Sequence, residues 1–232
     1  MSLFVPPRRP SREGLDDPSL PDTEMRRSLE DLRLVNAHWG GARAFERHLS
    51  SRLRALPDRT VRILDVGAGS GEVASRLQRR LRGRGLAVTA VALDLQWRHL
   101  RAGRTIAKPP PLSVAGDAFR LPFADGGFDL AISTLFFHHF SPEENRAVLL
   151  EMSRVARHGI ALLDLRRHRV PALFVSLAGR LLFRATVSVQ DGVASVRQAY
   201  TLEEALRVAQ GAVPRARARR IFPFRWLVTA GP

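Results

Sequence analysis

The 232-residue sequence predicts an α/β fold, and three observations carry that prediction. Short apolar runs of strand length alternate with longer amphipathic stretches from Val61 onward. The run Ile63–Gly71, ILDVGAGSG, drives an apolar segment into an acid and then sets Gly67, Gly69 and Gly71 at alternate positions. A helical pattern, EVASRLQRRL, follows at once, so the segment reads as a buried strand, a tight turn and a helix. A second apolar run, LAVTAVALD, ends in Asp94 roughly 25 residues after the glycines, the spacing of a ribose-binding acid.

The elements follow in order. Residues 1–21 are rich in Pro, Arg and Asp and predict a flexible or extended segment. Residues 22–58 predict a helical cap of two helices, TEMRRSLEDLRLVNAHW and GARAFERHLSSRLRAL, separated by Gly40–Gly41. Asp22 or Thr23 is the expected cap of the first. In residues 59–232, strands are expected at Val61–Val66, Ala87–Asp94, Leu112–Ala115, Phe128–Ser133 and Gly159–Leu165. ARRIFPF and WLVTAGP read as a closing antiparallel pair, with Pro223 at the turn or on an edge. Between them, at about 166–200, lies an insertion in which Pro171 suits a first helical position. Leu173, Phe174, Leu177, Leu181 and Leu182 form an apolar face there, flanked by Arg166, Arg167, Arg169, Arg180 and Arg184. Two readings stand: a helix packed on the core, or a substrate lid that also touches a membrane.

The glycine turn also selects its ligand. The dinucleotide fingerprint is GxGxxG, with a pyrophosphate on the helix N-terminus. Here the glycines run GxGxG, and Glu72 stands where the third glycine would be. A carboxylate in the first helical turn competes for the N–H groups a pyrophosphate would use, and Asp65 adds negative charge. The site favours a nucleoside with a cationic or zwitterionic end, and S-adenosylmethionine fits that description.

Three motifs in order, ILDVGAGSG, AVALD and AGDAFRLPFADGGFDLAISTLFFHHF, resemble those of the class I, Rossmann-like methyltransferases. The resemblance covers roughly Val61 to the C-terminus. It implies a seven-stranded, mostly parallel sheet of order 3-2-1-4-5-7-6, with an antiparallel final strand. It implies that Gly67, Ala68, Gly69 and Gly71 form the loop under the methionine part, with Asp65 near its ammonium. Asp94 would take the ribose hydroxyls, with Leu95 beside it. Asp117 would accept from the adenine amine while Ala118 donates a backbone N–H. Ser133 and Thr134 would face the cofactor. The segment LDDPSLPDTEMRRSLEDLRLVNAHWGGAR also resembles the opening of a bacterial subgroup associated with type III polyketide synthases. That likeness would set Asn36, His38 and Trp39 near the active-site mouth, unless Trp39 only fills a helical bracket.

Composition excludes several classes. The absence of cysteine removes disulfides, thiolate metal sites and thiol nucleophiles, and with them cytosine C5-methylation. No metal ligand set is expected. There is no stretch of 18 apolar residues and no apolar core at the start, so neither a membrane span nor a secretory signal is expected. A cytoplasmic setting, at most peripheral to the inner face of the membrane, is the simplest reading. The net charge of +15 is almost wholly arginine, because Lys108 is the only lysine. Arginines scattered without interleaved exposed aromatics argue against nucleic acid and leave anionic surfaces such as phospholipid as partners.

Methyl transfer from a sulfonium needs an aligned acceptor and a dry site more than a strong acid or base. A phenol, with a pKa of about 10, gains from a base. His138 and His139 follow the fourth strand, where the family's acceptor pocket opens, and are the catalytic candidates, His138 ahead. The alternative is plain packing with Phe136, Phe137 and Phe140; His168 is a third candidate. Ser141 and Glu144 look like a helix cap. STLFFHHF stands where amino-methyltransferases carry [D/N]PPY, which argues for a small hydroxyl or carbon acceptor. The subgroup resemblance and the apolar insertion imply a small or lipid-like phenolic acceptor of alkylresorcinol or quinol type. The alternatives are an RNA or protein methyltransferase and a cofactor-binding or assembly subunit without catalysis.

Overall fold

The computed structural model describes residues 4–38, 42–54 and 60–231. The strands are β1 (Thr60–Val66), β2 (Ala87–Asp94), β3 (Leu112–Ala115), β4 (Leu130–Thr134), β5 (Ile160–Leu165), β6 (Arg217–Ile221) and β7 (Arg225–Ala230). The helices are α1 (Asp22–His38), α2 (Ala42–Arg54), α3 (Glu72–Arg82), α4 (Trp97–Ile106), α5 (Pro142–Val155), α6 (Arg169–Leu182), α7 (Thr186–Gln198) and α8 (Leu202–Ala212). One seven-stranded sheet has the order β3-β2-β1-β4-β5-β7-β6, the expected one. β1 to β5 run parallel, whereas β7 pairs antiparallel with both β5 and β6.

The apolar runs of β1 and β4 are buried on both faces, as parallel strands between helical layers must be. On one face Leu64, Ala131 and Trp226 pack against Leu149 and Met152 of α5 and Ala205 and Val208 of α8. On the other, Ile63, Ile132 and Leu163 meet Phe45 and Leu49 of α2 and Leu77 of α3. Burying a side chain of this size contributes about 1.5–3 kcal/mol. The sheet is therefore the rigid base from which the loops at the strands' carboxyl ends project.

Several boundaries depart from expectation for local reasons. β4 opens at Leu130 because Phe128 makes only an isolated bridge to Ala156, at the end of α5. Neither Asp22 nor Thr23 lies ahead of α1; both are inside it, and the Asp22 carboxylate holds Arg98 at 2.6 Å and Arg101 at 2.8 Å. Pro171 is the third residue of α6, not the first, since the His168 ring accepts from Val170 N–H and starts the helix at Arg169. The Ser141–Glu144 capping box forms on α5, and Thr201–Glu204 builds a second on α8. Gly40 and Gly41 lie outside the described residues.

The segment expected to be flexible is laid down on the domain. From residue 4 to 21 the chain runs mostly extended, and Arg8 donates to the carbonyls of Gln198, His138 and Phe140. Asp191 of α7 accepts from the backbone N–H groups of Gly14 and Leu15 at 2.7 and 2.8 Å. Asp31 of α1 reaches the opposite way, accepting from Arg184 N–H and Ala185 N–H at the start of α7. That carboxylate satisfies donors that Ala185, at the cap position, cannot. The insertion is thus an α6–α7 hairpin clasped by the N-terminal segment and α1. Gly179 faces Val189 and Gly192 faces Val175, so small residues let the two helices approach.

Candidate active site

A cavity of about 740 Å³ opens at the carboxyl ends of the parallel strands, where α/β sheets bind ligands. Its size falls within the range of about 300–1,000 Å³ usual for small-molecule sites. Gly67, Ala68 and Gly69 border it after β1, Asp94 and Leu95 after β2, and Asp117 and Ala118 after β3. Thr134, Phe136, His138 and His139 border it after β4. Val170, Phe174 and Val175 of α6 close one side, Asn36 and Arg33 of α1 another, and Glu13 and Asp16 reach in from the N-terminal segment.

The glycine turn is shaped by its own constraints. Gly67 has φ of 66°, and a side chain there would run into the Phe136 ring. Gly71, with φ of 69°, caps α3 against Pro111 and does not border the cavity. Asp94 pins the turn: one oxygen accepts from Gly69 N–H and the other from Gln96 N–H, at 2.7 and 2.8 Å. Each oxygen retains a lone pair for a diol. Glu72 borders the cavity, and burial together with the Glu46 charge raises its pKa despite Arg76.

Beneath the turn Asp65 is 1% exposed, and neither carboxylate oxygen makes a hydrogen bond. Burial pushes its pKa up to about 8, with the Asp94 and Glu72 charges adding; the Ala74 N–H, close by but outside hydrogen-bond geometry, offsets part. Asp65 itself does not border the cavity. Nor does Ser133, whose hydroxyl donates to the Val66 carbonyl at 2.7 Å and ties β4 to β1. Asp117 is exposed and accepts from Phe119 N–H, the turn-capping bond that a loop acid makes anyway. Leu95 is 72% exposed on the rim, whereas Ala118 is buried.

The histidine pair carries the charge chemistry. His138 is buried with Nδ1 2.7 Å from Asp164 and Nε2 3.2 Å from Glu13. Burial opposes its charge, but the two carboxylates prevail and raise its pKa to about 10. Glu13, also bound by Ser195 and by Gln198 at 2.8 Å, is held down at about 2 against its burial. His139 stacks on His138 at 4.4 Å between ring centroids. Burial and the neighbouring His138 cation lower the His139 pKa, although Asp16 lies 3.5 Å away and Glu13 3.9 Å. Glu13, His138 and His139 could each turn one ligating atom to within 4.8 Å of the others. Both ring nitrogens of His138 already face carboxylates, so the group works as a charge network. Arg225, at the start of β7, borders the cavity, is 2% exposed and has an Nη1 without a partner. Burial lowers its pKa to about 10 while Asp164 opposes that.

Of the remaining expectations, Asn36 borders the cavity, His38 is exposed and bonded to Leu34, and Trp39 lies outside the described residues. His168 does not reach the cavity and stacks between Phe4 and Phe224. Sequence reasoning missed Glu13, Asp164 and Arg225. Asp164 had a legible signal, an acid ending a buried strand like Asp65 and Asp94; Glu13 had none. It also missed Leu135 and Phe224, two non-glycine residues with φ of 55° and 45° on the cavity wall. Strained backbone of this kind collects at working sites.

The sheet order, the glycine turn and the strand-end acid define a nucleoside-binding α/β protein. The residues fit an adenosyl ligand with an ammonium group: Asp65 is a buried carboxylate lacking a donor, and Glu72 stands where a pyrophosphate would need to lie. A family profile described as "Methyltransferase domain" matches residues 63–159. A demethylmenaquinone methyltransferase of Mycobacterium tuberculosis is 34% identical over 180 residues, covering 76% of this chain and 71% of the relative. One from Beutenbergia cavernae is 34% identical over 148 residues, 63% of this chain, which spans only 58% of that relative. A SAM-dependent methyltransferase structure from Aquifex aeolicus shares the fold, with a TM-score of 0.56 at 18% identity, over 80% of this chain and 88% of that one. The chain belongs to the class I S-adenosylmethionine-dependent methyltransferases.

Proposed function

We propose that this protein transfers a methyl group from S-adenosylmethionine to a small, lipid-like hydroxylated aromatic ring of quinol type. One observation carries the reading: the turn and acid suited to an adenosyl ligand open into the same cavity as His139, walled by Phe119, Phe136, Phe140 and Phe174. The names of the relatives, demethylmenaquinone methyltransferases, favour a quinol over an alkylresorcinol.

When bound, S-adenosylmethionine supplies an electrophilic methyl on a sulfonium. Asp94 would hold the ribose hydroxyls, Asp65 would attract the ammonium through the turn, and Arg33 would face the methionine carboxylate. Asp117 and Ala118 remain the candidates for the adenine edge. With its pKa raised to about 10, His138 is an imidazolium whose two N–H groups face Asp164 and Glu13, so it has no free lone pair to accept a proton. That reverses the order expected from sequence. His139, held neutral by burial and the adjacent cation, is the base that takes the hydroxyl proton of the acceptor. The electron pair left on oxygen would attack the methyl carbon in line with the departing sulfur, from that oxygen or from a ring carbon that shares its charge; attack at carbon is completed when that carbon's proton passes to the ring oxygen and aromaticity returns. Arg225, with its open Nη1, would stabilise the developing phenolate.

The test is transfer of a labelled methyl group to a panel of demethylquinols, simple phenols and alkylresorcinols. Labelling of the quinol is the expected result; labelling of none of the panel overturns the acceptor class. Labelling of alkylresorcinol alone would return the acceptor to the polyketide-derived class.

A further inference from the structure

The outer face of α6 is unlike the rest of the surface. Leu173 is 60% exposed, Leu177 72% and Leu181 90%, and Phe174 and Val170 are close to half exposed on the same side of the helix. Phe222, at the β6–β7 turn, is 91% exposed. Only Gly179 of α6 is buried. Large apolar side chains this exposed and this contiguous mark an interaction surface, not ordinary scatter. No residue of α6 belongs to the apolar core clusters, and Gly179 packs it against Val189 of α7.

Two further observations identify what covers the face. Between Asp164 and Asp191 the chain has no acid but carries Arg166, Arg167, Arg169, Arg180 and Arg184. Arg169, Arg180 and Arg184 are exposed beside the apolar stripe. A leucine stripe bordered by arginines, on a molecule of net charge +15, complements an apolar layer under an anionic surface. The stripe is also continuous with the cavity, because Val170 and Phe174 belong to both. No helix of the described residues is long and apolar enough to cross a membrane, so the contact is a lateral one.

We propose that α6 docks this protein on an anionic phospholipid bilayer, with Leu177 and Leu181 inserted and the arginines at the headgroups. The cavity mouth then faces the layer in which a lipid-like ring would reside. The docking itself stands apart from the acceptor reading; only the delivery of substrate rests on it.

The test is flotation of the full chain with phosphatidylglycerol/phosphatidylcholine vesicles, against pure phosphatidylcholine, with no acceptor present. Two double variants are compared, Leu177→Ser/Leu181→Ser and Arg169→Gln/Arg180→Gln, each checked for an unchanged melting temperature. The wild type is expected to float with anionic vesicles and to release as salt rises. Losing two arginines weakens binding by roughly 25-fold, at roughly fivefold each, and losing two leucines weakens it by more than about tenfold even at low salt. Three results overturn the proposal: no flotation, flotation unaffected by the leucine variant, or a wild-type dimer that the leucine variant dissociates. The last would assign the face to a second copy. A failure to methylate quinols would leave the flotation result unchanged, so the two readings fail separately.

Discussion

Replacing His138 by glutamine should change how stability depends on pH, and the structure gives the sign. In the folded chain His138 keeps its proton up to about pH 10, whereas an ordinary histidine loses it near 6.5. The folded state therefore binds more protons between those values, and its stability falls as pH rises. The contribution is complete below about pH 6.5 and gone above about 10. At about 1.4 kcal/mol per pH unit, the gap amounts to an upper limit of about 5 kcal/mol. Asp65 loses stability over a lower window, from 3.8 to about 8, by the same sign. That window is common to wild type and variant and cancels in their difference. Glutamine also removes the cation bonded to both Asp164 and Glu13, leaving Arg225 as the charge that faces Asp164, so the variant is less stable throughout the acid and neutral range. Urea unfolding at pH 6, 8 and 10 checks this. The wild-type advantage should be greatest at pH 6 and shrink by several kcal/mol toward pH 10. An advantage that stays constant across the three would show that folding does not raise the His138 pKa.

Three further outcomes follow. His139→Ala should lower methyl transfer by about 10²–10⁴-fold, with part of the loss recovered at high pH, while S-adenosylhomocysteine affinity by calorimetry is retained. Asp94→Ala should weaken S-adenosylhomocysteine binding by about tenfold or more, since it removes charge-assisted bonds and frees Gly69 N–H. Because Asp65 is neutral below about pH 8, binding of an ammonium-bearing ligand should strengthen as pH rises to about 8 and then level off. In Asp65→Asn that dependence should vanish in the same titration.

The sheet was legible because its signals are local and redundant. β2 and β3 fall where apolar runs end in Asp94 and after the Pro109–Pro111 break, and the β6–β7 pair brackets Pro223. The glycine turn was legible because only a few residues tolerate its φ angles. What sequence could not reveal is long-range. Glu13 comes from a Pro- and Arg-rich stretch with no periodicity, yet lies 125 positions from the histidine that it meets. Its place is fixed by Arg8 and Asp191, which no local pattern links to it. His138 and His139 were visible as a pair, with His138 placed ahead, but the burial and partners that separate their chemistry were not.

That separation also explains why the two rings stand together. A single histidine between Asp164 and Glu13 would be a stable imidazolium without catalytic use. A single histidine in place of His139 would face Asp16 and Glu13, which favour its charged form. Burial opposes that charge, and with His138 holding the cation 4.4 Å away a second charge on His139 is also repelled, so the His139 pKa is lowered despite its acids. The buried ion cluster thus helps burial keep the His139 ring unprotonated and able to accept a proton. Its consequence can be measured: His138→Gln should raise the apparent pKa of the rate profile for methyl transfer, and at neutral pH the variant should be slower than wild type. A profile that stays in place would separate His138 from His139 and leave the pair as packing alone.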